Sequence, residues 1–278
     1  MPNLRLKLKR DLSPFRKMAI GTWNAPGDPS VYGTLELRME AALEYLARFR
    51  EKTGRKATIT HLLARAMGSI LKETPDANAI LRGHKIYLRQ DIGIFVQVAI
   101  TEDGEGKADL SGVTLHDVDK KSLAEICDEM TMRAKEVRAH KDAELERSRS
   151  LFHRLPYRLV GPVLDAMSFL FYTLNLDPRF AGVPKDAFGS VMITNVGTLG
   201  LDTAYAPLVP FSRVPILLTV GAVKDQPVVD DGVVKPGKVM KINVTFDHRF
   251  IDGVHGAAMS KAMRAWMERP FEHFDKLD

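Results

Sequence analysis

The sequence contains very little cysteine. Cys127 is the one cysteine among 278 residues, which excludes a disulfide framework within the chain. Such usage is typical of a reducing compartment, so we expect a cytoplasmic protein. Cys127 shares the apolar stripe of a predicted helix with Leu123, Met130 and Ala134. We therefore interpret it as a buried core thiol rather than a nucleophile.

Long apolar runs are scarce as well. The basic start of the chain meets Asp11 and Pro14 instead of an apolar stretch, so no signal peptide is predicted. The most apolar segment, residues 159–176, is interrupted by Pro162 and Asp165, which argues against a bilayer-spanning helix of about 20 apolar residues. Three interpretations remain: a helix packed on the body, a subunit interface, or a helix lying on a membrane surface. Ordinary burial favours the first two, because it explains an apolar helix without a further assumption.

The body of the chain lacks a net charge. The formal charge is +5, and residues 1–17 hold six basic residues and one acidic residue, which accounts for the whole excess. No basic stripe with interleaved aromatic residues follows, so nucleic-acid binding is not expected. We interpret residues 1–17 as a basic N-terminal arm, either solvated or in contact with a neighbouring subunit.

Two kinds of site are also missing from the pattern. The histidines other than His248 show no zinc-ligand spacing, and no glycine-rich phosphate loop follows a strand. We expect neither a metal site nor a nucleotide-phosphate loop.

The hydrophobic and charged fractions, 45% and 27%, are ordinary for a globular protein with a substantial core. Periodicity predicts helices mainly in the first half and strands clustered late, which is an α/β pattern with a mixed sheet. Thr60 is a plausible N-cap of the second helix. A hairpin connection is predicted from Asp230 to Gly237. The predicted strands are 31–39, 86–89, 92–100, 190–194, 215–223 and 239–246, and the predicted helices start near residues 40, 60, 122, 159 and 254.

The stretch 244–253 contains the candidate catalytic residues. A predicted strand delivers His248 at its end, and Asp252 follows four residues later, just before the last helix. An imidazole is the natural general base near neutral pH, and the turn can carry the carboxylate back to brace the loop. A histidine considered alone is more often a hydrogen-bonded core residue, so the neighbouring motif decides the interpretation.

The sequence from Asp247 to Gly253 resembles the active-site signature of the catalytic domain of dihydrolipoamide acyltransferases. These are core subunits of 2-oxo acid dehydrogenase complexes, and they share a fold with chloramphenicol acetyltransferase. Several further segments resemble the family in the same order along the chain. They are 12–17, 59–63, 74–79, 91–94, 119–126, 190–197 and 215–222. The resemblance covers residues 12–145 and 187–270 and implies an α/β, two-layer sandwich with a mixed β-sheet and flanking helices.

The resemblance also implies site residues and a substrate. His248 would deprotonate the thiol of coenzyme A or of a dihydrolipoyl group, and Thr194 would donate a hydrogen bond to the oxyanion. Asp252 is assigned to orientation, in an ion pair for which Arg16 is the candidate. Asn195 and Gly253 support these groups as motif neighbours. Coenzyme A or acyl-CoA is the expected substrate, and the residues that bind it are not identified.

The family resemblance further implies a homotrimer whose active site lies between subunits, with a larger cage as an extension. We expect residues 1–278 to form a single acyltransferase domain without a lipoyl or a peripheral subunit-binding domain. The acyl acceptor would then come from elsewhere, for example from a lipoyl-bearing partner protein.

Two segments depart from the family pattern: 106–114, and an apolar insertion at 146–186. Two alternatives to a free-standing acyltransferase remain open. One is a non-catalytic scaffold of the same fold, and the other is a membrane-docked acyltransferase with a hydrophobic acceptor.

Overall fold

The computed structural model describes residues 2–9, 28–101, 108–138 and 156–277. The strands are β1 (Leu6–Leu8), β2 (Ser30–Arg38), β3 (Ala79–Arg82), β4 (Lys85–Arg89), β5 (Ile94–Thr101), β6 (Ala108–Leu115), β7 (Val191–Asn195), β8 (Ile216–Val220), β9 (Lys224–Asp230) and β10 (Val233–Asp247). The helices are α1 (Glu40–Thr53), α2 (Ile59–Glu73), α3 (Leu123–Arg138), α4 (Tyr157–Ser168), α5 (Gly253–Glu268) and α6 (Pro270–His273). A π-helical turn, Phe169–Thr173, continues α4.

The strands form two sheets. The larger one has seven strands in the order β2-β10-β8-β7-β5-β6, and β9 pairs with the first part of β10. Strand β7 pairs in parallel with both β5 and β8, while the other pairs in this sheet are antiparallel. The smaller sheet has the order β1-β4-β3. The predicted α/β class with a mixed sheet and flanking helices is therefore confirmed.

The main core lies between the large sheet and the helices. Alternate residues of the central strands, such as Ile94, Val191, Ile216 and Ile242, point to this side and are buried. The facing helices supply the other half of the cluster, including Phe49, Leu63, Ile126 and Met263. The period-2 alternation of the strands thus leaves the remaining strand positions on the opposite face of the sheet.

Two details differ from the expectations. The N-cap of α2 is Thr58, whose hydroxyl lies 2.7 Å from His61 Nδ1, and Thr60 lies inside the helix. The tight turn after β9 is Asp231–Gly232, whereas Pro236 and Gly237 belong to β10 and pair with β9. Pro236 of β10 stands opposite Pro227 of β9 in the ladder, so neither proline has to donate a ladder hydrogen bond.

The described part of the basic N-terminal segment packs on its own chain. Leu6–Leu8 pairs with β4, Asn3 and Leu4 are buried, and Arg5 lies 3.1 Å from Asp91. Residues 2–9 are therefore not a solvated arm. The expected family-like segment 12–17, with Arg16, lies outside the described residues.

A close backbone approach joins the two halves of the large sheet. Gly189 has a φ of +62°, and a Cβ at this position would lie 2.4 Å from the backbone of Gly93. The amide of Ser190 donates to the Gly93 carbonyl at 2.7 Å. Glycine is required here for both conformation and space, because it alone lets β7 begin beside β5.

A buried ion pair fastens the small sheet to the large one. Arg89 of β4 and Asp186, just before β7, are 6% and 8% exposed and form an ion pair. Removing one charge leaves the other buried without its counter-charge, which is far more costly than losing an exposed pair.

We expect Asp186→Asn to lower the free energy of unfolding by about 3 kcal/mol, measured by urea denaturation. The matched control is Asp128→Asn, which breaks the exposed pair with Arg55 and should cost less than about 1 kcal/mol. Equal effects of the two variants would contradict the structural role of the buried pair.

Candidate active site

His248 lies in a tight turn that joins β10 to α5. Its backbone amide donates to the Pro29 carbonyl at 2.9 Å, and the amide of Ile251 donates to the Asp247 carbonyl at 3.0 Å. Phe250 and Ile251 are buried at 3% and 0% exposure. The turn is therefore held by both backbone hydrogen bonds and apolar anchors.

The imidazole of His248 is oriented by its own turn. Nδ1 lies 2.9 Å from the carbonyl oxygen of Ile251. A carbonyl can only accept, so Nδ1 carries the proton and donates, and in the neutral ring Nε2 holds the lone pair. The half-buried ring thus has one fixed tautomer, with Nε2 as the basic atom.

The residues beside His248 hold the turn from the side. Asp247, 5% exposed, accepts from the amide of Arg249 at 3.0 Å and from its guanidinium at 2.6 and 2.9 Å. Such a two-pronged pair is more directional than a single contact. The Arg249 side chain is therefore committed to Asp247.

Asp252 is the N-cap of α5. Its carboxylate accepts from the amides of Val254 at 3.0 Å and His255 at 3.2 Å, and it lies 2.7 Å from His255 Nδ1. A carboxylate at a helix N-terminus satisfies open amides and complements the helix dipole. These contacts hold the carboxylate at the start of α5, and its orienting role stays a prediction, because the expected partner Arg16 lies outside the described residues. Gly253 is the first residue of α5, and a Cβ there would meet nothing within 4 Å.

His255 is a site-adjacent residue that the sequence analysis did not single out. Besides Asp252, its Nε2 lies 3.8 Å from Asp76, which also forms an ion pair with Lys9. The pattern Asp-x-x-His at a helix start resembles a capping box and could have indicated this contact. In the described ranges, no group of three or more histidine, cysteine or acidic side chains could hold a metal ion.

Thr194 lies near the C-terminal end of β7, on the face of the sheet that points away from the core helices. Cross-strand pairing places it beside Thr219 of β8, which in turn faces Asn243 of β10. Asn243 accepts from the Thr34 hydroxyl at 3.0 Å. Next to Thr194, the side-chain amide of Asn195 (Nδ2) donates to the Thr60 hydroxyl at 3.2 Å, so this neighbour ties the end of β7 to α2.

A polar row therefore crosses the sheet at the level of Thr194. Thr219 and Asn243 are 1% and 0% exposed, and Thr219 Oγ1 and Asn243 Nδ2 have no partner within the described part of the chain. Buried polar groups are costly unless they are hydrogen-bonded, so packing within this chain does not explain the row. In the sequence, Asn243 between two apolar residues was the available signal for this row.

One chain does not bring His248 and Thr194 together. Thr194 is level with Asn243, and His248 follows Asn243 by five residues on a strand two positions away. At about 3.3 Å per residue and about 4.8 Å between strands, the two residues are on the order of 19 Å apart. A site that used both groups would need a reacting atom within about 3 Å of each, and one chain alone cannot supply both groups at that distance.

The other candidate groups have little reactivity. Burial raises the pKa of the Cys127 thiol to about 12, and Cys127 is 2% exposed, as expected for a core thiol. Burial also lowers the pKa of His61 to about 4, which keeps it neutral as a helix-capping residue. Neither residue has the exposure that a nucleophile or proton carrier needs.

The expected insertion contributes a partly buried helix. Phe171 and Tyr172 are buried in a cluster with Leu4 and Ile80, so the segment does pack on the body. Several of its large apolar side chains stay exposed, among them Phe169 at 52% and Phe180 at 72%. Among the described residues, no helix is long and apolar enough to cross a membrane.

Curated proteins similar to this chain were found over most of its length. A relative from Bacillus subtilis (strain 168), the dihydrolipoyllysine-residue acetyltransferase component of an acetoin cleaving system, is 25% identical over 79% of this chain and 44% of that protein. The chain thus spans less than half the length of this curated relative.

Two solved structures share the fold. The cubic core of the pyruvate dehydrogenase multienzyme complex superposes with a TM-score of 0.64 at 21% identity, covering 95% of this chain and 93% of that one. A chloramphenicol acetyltransferase superposes with a TM-score of 0.52 at 14% identity, covering 95% and 100%. The predicted chloramphenicol acetyltransferase-like sandwich is therefore confirmed.

The family model of the 2-oxoacid dehydrogenases acyltransferase (catalytic domain) matches residues 12–152 and 185–274. The match includes the His248 turn, α5 and β7, whose geometry is described above. The chain therefore belongs to the family of 2-oxoacid dehydrogenase acyltransferase catalytic domains.

Proposed function

We propose that the protein transfers an acyl group between coenzyme A and a dihydrolipoyl-type thiol, with His248 as general base. The observation that carries the proposal is the hydrogen bond from His248 Nδ1 to the Ile251 carbonyl, 2.9 Å long. It fixes the tautomer in which Nε2 can accept a proton. Deprotonation matters because the thiolate, not the thiol, is the nucleophile.

The proposed reaction balances without any further reagent. His248 Nε2 removes the proton of the acceptor thiol, and the thiolate attacks the carbonyl carbon of the acyl thioester. The resulting oxyanion accepts a hydrogen bond from the Thr194 hydroxyl. When the tetrahedral intermediate collapses, the old carbon–sulfur bond breaks, and the departing thiolate receives the proton from Nε2.

Asp252 acts as a positioning residue in this proposal. Its carboxylate caps α5 and binds His255, so it fixes the end of the turn that presents His248. Arg16, expected as a further partner of Asp252, stays part of the proposal. Asn195 holds the end of β7 through Thr60 and thereby supports Thr194.

The proposed assembly is a homotrimer with an active site at each subunit interface. The separation of Thr194 and His248 within one chain supports this arrangement, because a neighbouring copy can supply the second group. A cyclic trimer provides three equivalent interfaces of this kind. A larger cage built from such trimers is the corresponding higher-order assembly, as in the cubic core to which this chain is similar.

We further propose that residues 1–278 act as one acyltransferase domain, with 146–186 as an insertion. The family match is to a catalytic domain, so the matched residues themselves supply no lipoyl group. The acceptor would be a dihydrolipoyl group presented by a partner protein.

The test is acyl transfer by the full chain, supplied with acetyl-CoA or hexanoyl-CoA and dihydrolipoamide. Chromatography should show loss of the acyl-CoA and formation of S-acyl-dihydrolipoamide. If neither thioester yields product above the uncatalysed rate, the proposal is wrong and a non-catalytic scaffold of the same fold takes its place.

A further inference from the structure

An apolar cavity of about 360 Å³ lies at the β6 edge of the large sheet. Its floor is formed by Phe95 and Gln97 of β5, and Leu164 and Met167 of α4 cover it. The volume is at the lower end of the range for small-molecule sites, which is about 300–1,000 Å³. A small apolar group would fit such a space.

The cavity is made where the chain departs from its family. Leu164, Met167, Phe171 and Val183 all lie in residues 153–184, which the family match leaves out. The opposite wall includes Gly112 of β6, within the other segment whose sequence departs from the family pattern. Both departures therefore meet at one cavity.

Gly112 determines where the Phe95 ring lies, and this ring forms part of the cavity floor. A Cβ at this position would lie 1.9 Å from the Phe95 ring, so only glycine lets the ring lie flat over β6. Any larger residue would push the ring of Phe95, which lines the cavity, out of its place.

The cavity begins one strand away from the proposed oxyanion donor. Phe95 of β5 pairs with Met192 of β7, and both belong to the apolar cluster on the face away from the core helices. The ladder between these strands ends at Val96 and Ile193, and one residue beyond it Gln97 and Thr194 belong to that same face. Adjacent strands are about 4.8 Å apart, which is within the reach of a thioester carbonyl and its first methylenes.

Arg133 is the charged residue in the described lining of the cavity, and its partly exposed guanidinium shares the Glu129 carboxylate with Lys121. Burial lowers the pKa of His116, which therefore stays neutral near pH 7. The guanidinium of Arg133 is 41% exposed and lies 3.0 Å from Glu129. Ser111 Oγ is buried without a partner in the described ranges, and Asn3, Gln97 and Thr114 also contribute polar side chains to a lining that is mostly apolar. This environment favours an uncharged, apolar group.

From these observations we infer that the cavity binds the acyl chain of the substrate and selects apolar acyl groups longer than acetyl. The inference rests on the proposed function, since it places the thioester carbonyl at Thr194. The acyl chain then extends past Gln97 under α4. Each additional buried methylene should raise kcat/KM about fourfold until the cavity is full.

The first test compares acetyl-, butyryl- and hexanoyl-CoA as donors to dihydrolipoamide, using the full chain. Met167→Trp fills the cavity and should reduce kcat/KM for hexanoyl-CoA to the level of acetyl-CoA. Leu164→Phe fills less of the cavity and should give an intermediate kcat/KM for hexanoyl-CoA. It serves as the test if Met167→Trp folds poorly. The matched control is Leu159→Trp on the same helix, where the side chain is 50% exposed and does not line the cavity.

The second test measures binding without turnover. Calorimetry with S-acyl-N-acetylcysteamines, which carry the thioester but no nucleotide, should show tighter binding for hexanoyl than for acetyl and loss of this difference in Met167→Trp. Equal kcat/KM values for all three acyl-CoAs, with active transfer, would overturn the cavity assignment alone. Absence of transfer together with intact, Met167-dependent thioester binding would instead overturn the proposed function and keep the cavity.

Discussion

Replacing His248 with alanine is expected to reduce acyl transfer from acyl-CoA to dihydrolipoamide by about 10²–10⁴-fold. The reason is that the thiol then loses the base that converts it to a thiolate at neutral pH. The hydrogen bond of the ring to the Ile251 carbonyl is lost as well, but Phe250 and Ile251 still anchor the turn. The effect should therefore appear in kcat, with little change in the urea midpoint.

The control for this prediction is His84→Ala. His84 is exposed in the turn between β3 and β4, outside the hydrogen bonds that hold the His248 turn, and should not affect the rate. Equal rates for His248→Ala and the unmodified protein would remove His248 from the mechanism. A matching loss in His84→Ala would show that the assay reports stability rather than catalysis.

Removing the Thr194 hydroxyl with Thr194→Val is expected to lower kcat by about 10²–10³-fold, because one oxyanion donor is lost. Valine keeps the branched shape that suits β7, so the strand should be preserved. Thr194→Ser should retain most of the rate, since serine supplies the same hydroxyl. The control is Thr198→Val, because Thr198 is exposed and its hydroxyl donates to the Asn195 carbonyl at 2.9 Å.

The Thr194→Val variant, co-expressed with His248→Ala, also tests whether the site lies between subunits. Chains carrying His248→Ala and chains carrying Thr194→Val are each inactive, but a mixed trimer can combine an intact histidine with an intact threonine. Co-expression at equal amounts should restore about a quarter of the unmodified rate, the share of interfaces that pair both intact groups. Co-assembled chains that stay as inactive as each variant alone would place both residues in one chain's site and contradict the interface.

Much of the secondary structure could be predicted from local patterns. Alternation predicted β2, and the apolar stripe of α1 ends at Gly54, whose φ of +69° is the left-handed cap that glycine adopts readily. The N-cap of α2 was misplaced by two residues, because Thr58 and Thr60 are equally suitable in sequence. The choice between them depends on His61, whose ring closes the cap from the third helical position.

Longer-range features were less accessible. Pro236 and Gly237 look like a turn, yet pairing with β9 keeps them in a strand. Residues 2–9 look like a solvated basic arm, yet Leu4 and Leu6 find apolar partners beside Tyr87 and Phe171. Local composition cannot predict such partners, because they come from segments distant in the chain.

The sequence by itself determined the family and the class of fold, and it singled out His248 as the candidate general base. These features depend on residues that are contiguous in the sequence. The strand, the turn and the helix cap of 244–253 follow one another directly, so the motif is visible without the fold. The tautomer of His248, the separation of His248 from Thr194 and the cavity beside Gln97 were decided only by the tertiary structure. Each of them depends on strand register and on packing between distant segments, which no local pattern specifies.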